Sequence, residues 1–215
     1  MRKFKSFIAL DLKSNAQNIS IVKKLHYHVY GFKVGYRSFY NKRSNDLISE
    51  IKKKKSKLFL DLKLHDIPNT VSSAIDSLSN INPDFLTLHI SGGSEMIKAA
   101  LNSIKKNKLK TKILGVTLLT SLDGKDSNKL YKERNTKKLV KKYTEIANNE
   151  NIHGLVCSGD DLRILAKYNK LIKITPGVKM FARNDDQKRV TFVHNALQDG
   201  ANFVVIGREL IKSKK

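Results

Sequence analysis

The chain has a single cysteine, Cys157. No intrachain disulfide can form, and a reducing, cytoplasmic setting is expected. Long apolar runs are also missing. None reaches the roughly 18 residues that a membrane helix needs. The opening MRKFKSFIALDLKS is basic, but Asp11 cuts its apolar stretch short, which argues against a secretory signal. Three prolines and eleven glycines are scattered along 215 residues. No linker or low-complexity segment appears, so one domain covering residues 1–215 is expected. His and Cys never fall at metal-ligand spacing, so no metal site is expected.

Acidic residues are scarce. Asp and Glu number 19 against 42 Lys and Arg, a formal charge of +23. Such an excess can mark a nucleic-acid binder. Here the lysines are spread along the chain, and aromatic residues do not interleave with them as a base-stacking platform requires. The densest run, residues 52–55, reads as the end of a helix. Residues 129–142 read as a loop followed by a solvated helix face. The expectation is solvated surface, with neither nucleic acid nor membrane as partner.

What the chain does have is a recurring pair: a short β-like apolar run, then a longer amphipathic stretch. The runs are FIALDL from Phe7, GFKVG from Gly31, LFLDLKL from Leu58, FLTLHI from Phe85, KILGVTLLT from Lys112, GLVCSG from Gly154, IKITPGV from Ile172 and FVVIG from Phe203. Helix-period patterns lie between them, as at residues 19–27 and 96–104. Eight βα units of this kind imply the α/β class and a closed (β/α)8 TIM barrel. A doubly wound open sheet is the alternative if one strand is false.

Period-2 alternation sorts the side chains. In LFLDLKL the leucines 58, 60, 62 and 64 share one face, while Phe59, Asp61 and Lys63 share the other. Parallel strands are covered on both faces and should read as continuously apolar. Asp61 and Lys63 break that rule, as do Asp11, Lys33 and His89 on the inner faces of their own runs. All sit toward the carboxyl ends of strands, where barrels assemble their active sites. With Asp66 they make a set of two Lys and three Asp that could neutralise one another. Buried ion pairs stabilise weakly compared with apolar packing, so a functional array is favoured over a structural network. Alternating Lys and Asp suits proton delivery to a carbanion, with Lys63 as donor. A second feature closes the chain. Gly207 ends the last run and lets its backbone N–H approach an anion closely, and Arg208 can clamp a phosphate.

Residues 59–70, FLDLKLHDIPNT, resemble the signature of the orotidine 5′-monophosphate decarboxylase family, Asp-x-Lys-x-x-Asp followed by Ile-Pro-x-Thr. ALDL at Ala9, FKVG at Phe32, LHISGG at Leu88, LLTS at Leu118, TPGV at Thr175, DQKR at Asp186 and VIGR at Val205 fall in the family's order. The resemblance implies a homodimeric, cofactor-free carboxy-lyase of pyrimidine biosynthesis that converts orotidine 5′-monophosphate to uridine 5′-monophosphate and CO2. By it, Lys63 protonates C6 of the pyrimidine and Asp61 lies near the departing carboxylate. Asp66 and Thr70 come from the partner subunit. Asp11 and Lys33 hold the ribose and complete the array. Thr120 contacts the pyrimidine, and Gln187, Gly207 and Arg208 grip the 5′-phosphate. His89 matches a position beside the site and equally suits a bonded core histidine. One departure stands out. Where the family often has Arg after Thr-Pro-Gly-Ile, this chain has Lys179, which keeps the charge and loses the planar fork. Metal-dependent sugar-phosphate decarboxylases, such as 3-keto-L-gulonate 6-phosphate decarboxylase, share Asp-x-Lys-x-x-Asp. The Ile67-Pro68-Asn69-Thr70 continuation and DQKR point away from them.

Overall fold

Strand-forming runs and amphipathic stretches alternate through the computed structural model, which describes residues 3–180 and 191–207. The strands are β1 (Phe4–Leu10), β2 (Val29–Gly35), β3 (Lys57–Leu64), β4 (Phe85–His89), β5 (Lys112–Val116), β6 (Gly154–Val156), β7 (Ile172–Pro176) and β8 (Phe203–Ile206). All pair in parallel with their sequence neighbours, and β8 pairs with β1, which closes the barrel. The (β/α)8 expectation holds and the open sheet falls away. The helices are α1 (Asn15–Leu25), α2 (Tyr36–Phe39), α3 (Ser44–Lys53), α4 (Pro68–Ser77), α5 (Gly93–Lys106), α6 (Gly124–Tyr131), α7 (Thr136–Asn149) and α8 (Val193–Gln198).

Two apolar layers hold the barrel. Even positions of β3 face outward, so Leu58, Leu60 and Leu62 pack under the helices. Odd positions face inward, where Phe7, Ala9, Phe59, Phe85, Leu114, Ile174 and Val205 fill the interior. Phe7 sits at the centre, its ring 5.4 Å from Phe59 and 5.5 Å from Phe85 in edge-to-face contact. This aromatic cluster fills the barrel interior beneath the carboxyl ends of the strands.

Most strands stop earlier than their apolar runs suggest. Asp11 lies one residue past β1, Thr117 to Thr120 lie past β5, and Cys157 lies past β6. The pattern continues because the loops behind the strands also bury side chains: Thr117, Cys157 and Val178 are buried. The loop expected over residues 129–142 is corrected in part. Lys129 belongs to α6, whose start is capped by the Asp123 carboxylate accepting from the N–H groups of Lys125 and Asp126. The rest behaves as expected, with Lys137, Lys138, Lys141 and Lys142 exposed on α7. No helix among the described residues is long and apolar enough to cross a membrane.

Candidate active site

Three charged side chains meet at the open rim. Lys33 on β2 places Nζ 3.2 Å from Asp61 Oδ2, and Lys63 places Nζ 2.7 Å from Asp61 Oδ1. The side chains are 17%, 12% and 28% exposed for Lys33, Asp61 and Lys63, so the carboxylate is the most enclosed member. Burial alone would raise the Asp61 carboxyl. The two ammonium groups outweigh it and hold the group below the usual carboxylate range. Asp61 is therefore an anion at neutral pH, clasped between two cations.

The backbone beneath is irregular. Leu60 pairs with Leu86 and Leu64 with Leu88, so residues 61–63 lie opposite Thr87 alone. Lys63 carries φ +42°, a left-handed conformation that a non-glycine residue rarely adopts. Such a residue costs on the order of 1–3 kcal/mol and persists where its surroundings fix it. Asp61 and Lys63 keep the shared inner face that strand alternation gives them, while Leu62 stays buried on the outer side.

Other expected residues fall around this array. Asp11 sits half-buried at the end of β1, where the Arg37 guanidinium donates to its backbone carbonyl. Its loop rests on a buried amide network. Asn15 donates to the Ser38 carbonyl, Asn18 donates to Asn15 and to the Ser38 hydroxyl, and Asn18 accepts from the Leu12 N–H. His89 ends β4 with its ring 5.1 Å from that of His65. Burial first, then the His65 and Lys63 charges, lowers the His89 imidazole below its ordinary value, which keeps it neutral near pH 7.

Asp66 stands apart. It is exposed, it accepts from the Ile67 N–H at 2.7 Å, and among the described residues it forms no ion pair in its own chain. Ile67 is extended at ψ 153°, as a residue before proline should be, and Pro68 opens α4. Thr70 lies exposed in the first turn of that helix, and Thr120 is exposed beyond β5. Lys179 follows β7 and is tied by its N–H to the Thr191 carbonyl. Gly207 follows β8, and a methyl built on it would meet no described atom within 4 Å. Gln187 and Arg208 lie outside the described residues. No group of three or more His, Cys, Asp or Glu among the described residues is arranged to hold a metal.

Sequence reasoning missed Thr87, Asn15, Asn18 and Ser38. The amide network left one signal: Asn15, Asn18 and Val22 form a single buried stripe on α1, and two of its members are polar.

These features define a class: a (β/α)8 barrel with an acid–base site of alternating lysine and aspartate at the carboxyl rim of its strands. Comparison with known proteins narrows it. The model of the "Orotidine 5'-phosphate decarboxylase / HUMPS family" matches residues 5–215. An orotidine 5′-phosphate decarboxylase of Wolbachia sp. subsp. Brugia malayi is 37% identical over 207 residues, 95% of this chain and 91% of that protein. One of Staphylococcus saprophyticus is 36% identical over 214 residues, 96% of this chain and 91% of that protein. The crystal structure of orotidine 5′-phosphate decarboxylase from Lactobacillus acidophilus matches with TM-score 0.78 and 30% identity, covering 94% of this chain and 89% of that one. The chain belongs to the orotidine 5′-phosphate decarboxylase / HUMPS family.

Proposed function

We propose that this protein is an orotidine 5′-phosphate decarboxylase, forming uridine 5′-monophosphate and CO2 in pyrimidine biosynthesis. The observation that carries the reading is the Lys33–Asp61–Lys63 array at the carboxyl rim of the barrel. The relatives quoted above bear this activity in their names.

Cleavage of the C6–carboxylate bond leaves its electron pair on C6, where resonance offers little relief. The Lys63 ammonium stabilises that pair and then delivers its proton to C6, to be reprotonated from solvent. Asp61 keeps Lys63 charged and oriented. A substrate carboxylate seated beside Asp61 meets a fixed anion, and the repulsion is relieved as CO2 departs. Lys33 and Asp11 bind the ribose, and Thr120 contacts the pyrimidine. Gln187, Gly207 and Arg208 take the 5′-phosphate, and Lys179, where the family often has arginine, adds a cation for substrate binding. The reaction as written uses no metal and no organic cofactor.

The active enzyme is a homodimer whose sites are shared. The exposed Asp66, standing on the surface beside exposed Ile67 and Thr70, supports donation of Asp66 and Thr70 to the partner's site. The single, buried Cys157 fits a cytoplasmic enzyme. The lysine excess is solvated surface rather than a nucleic-acid site, as the exposed Lys52, Lys53, Lys141 and Lys142 suggest.

The sugar-phosphate decarboxylases of the same scaffold are the rival, and their chemistry runs through a divalent metal. Purified protein stripped exhaustively by a chelator should still form uridine 5′-monophosphate at an undiminished rate. Turnover that stops in chelator and returns with magnesium would defeat the reading.

A further inference from the structure

We propose that Thr87 is a positioning residue of this site, its one hydroxyl tying the Asp61 carboxylate to the Lys63 backbone across the β3 bulge. The kinetic part of this inference rests on the decarboxylase reading; the structural part does not.

Regular parallel pairing would give each residue of β3 a partner on β4. Here residues 61–63 face only Thr87, and the bulge takes the Lys63 N–H out of the regular ladder. Thr87 Oγ1 accepts that N–H at 2.8 Å and donates its own proton to Asp61 Oδ1 at 3.1 Å. A hydroxyl has one donor and two acceptor lone pairs, so both bonds form at once. Asp61 Oδ1 is also the oxygen that holds Lys63 Nζ at 2.7 Å. Thr87 thus fixes both ends of the Lys63 residue, the backbone directly and the ammonium through Asp61.

Two further facts make the tie firm. Thr87 is fully buried, and its β-branched side chain has few χ1 wells to choose from. Lys63 is held at φ +42°, a conformation that needs an external partner to persist. Thr87 supplies that partner without itself touching the reacting carbon. Among the described residues, the ionisable groups that act on Asp61 include Lys33 from β2, Lys63 from β3, His89 from β4 and Tyr36 from α2. Thr87 adds the neutral donor among them.

The test compares wild type, Thr87→Val and Thr87→Ser. The valine keeps the shape and removes both bonds. The serine keeps both bonds and loses the methyl. Measured quantities are kcat and KM for orotidine 5′-monophosphate, the thermal midpoint, and the titration of the Asp61 carboxyl carbon by NMR. Thr87→Val should lose about 10- to 100-fold in kcat, with KM changed by less than about threefold. Its Asp61 should titrate at higher pH than in wild type, because a bond to the charged form is gone. Thr87→Ser should restore kcat to within about fivefold of wild type and return the Asp61 titration. If Thr87→Val does not fold, Thr87→Ala carries the same expectations. A valine variant with wild-type kcat, an Asp61 titration that does not move, or valine and serine variants equally impaired would each overturn the inference. A wild type without turnover would sink the decarboxylase reading, while the Asp61 titration would still decide the tie.

Discussion

Asp61 accepts from two ammonium groups and one hydroxyl at the same time, and its negative charge separates and partly offsets the two cations. Replacing it with Asn keeps the shape but leaves Lys33 and Lys63 facing each other. We expect Asp61→Asn to destroy turnover and to cost about 1–3 kcal/mol of stability at pH 7. The pH dependence has a definite sign. The native carboxyl lies below its ordinary value, so its contribution is complete above the unfolded value of about 3.9 and is lost as pH falls through the native one. Urea unfolding of wild type and variant should show a gap that is level from pH 7 to about pH 4 and narrows below it. A gap unchanged at the lowest pH, or absent at pH 7, would contradict this. Asp61, Lys63 and Lys33 were legible in the sequence because charge on an inner strand face violates the burial pattern. Thr87 was not, because threonine suits a buried strand and only the bulge shows what its hydroxyl holds.

The strands divide the labour between floor and rim. The floor is the aromatic cluster around Phe7, Phe59 and Phe85, and the rim is the charged array two residues further along β3. Phe59→Ala should therefore cost about 3–5 kcal/mol through lost burial and the cavity left behind, read as a lower urea midpoint. A loss under about 1 kcal/mol would mean that the cluster repacks freely. All eight strands could be identified from alternation and spacing. Their carboxyl ends could not, because Thr117, Cys157 and Val178 stay buried after the ladder has ended. The β3 bulge was also hidden, since strict alternation places Asp61 and Lys63 on one face with or without it. The helix α6 escaped because its polar sequence shows little apolar stripe, and Asp123 at its cap is the residue that marks its start.

In the closed barrel Lys33, Asp61 and Lys63 gather at the carboxyl rim of the strands. At that rim Tyr36, Tyr40 and Ile67 are 50%, 76% and 66% exposed, and the dimer proposed above would set its interface beside them. If Asp66 crosses that interface, Lys63→Ala and Asp66→Ala variants should complement one another. Random pairing makes half the dimers hybrids, each with one intact site of two, so about a quarter of wild-type activity should return on co-refolding. No recovery among hybrids shown to have formed would place each site within one chain. No residue pattern by itself points to a dimer. Pro68 showed that the chain turns after Ile67, and only the family resemblance said where Asp66 goes. The most direct test of the whole account is CO2 release from carboxyl-labelled orotidine 5′-monophosphate, measured side by side for wild type and Lys63→Ala. Wild type should release one CO2 for each uridine 5′-monophosphate formed, and the variant should lose at least about a thousandfold in kcat while still binding that product. A wild type that releases no CO2, or a variant with near-normal kcat, would contradict it.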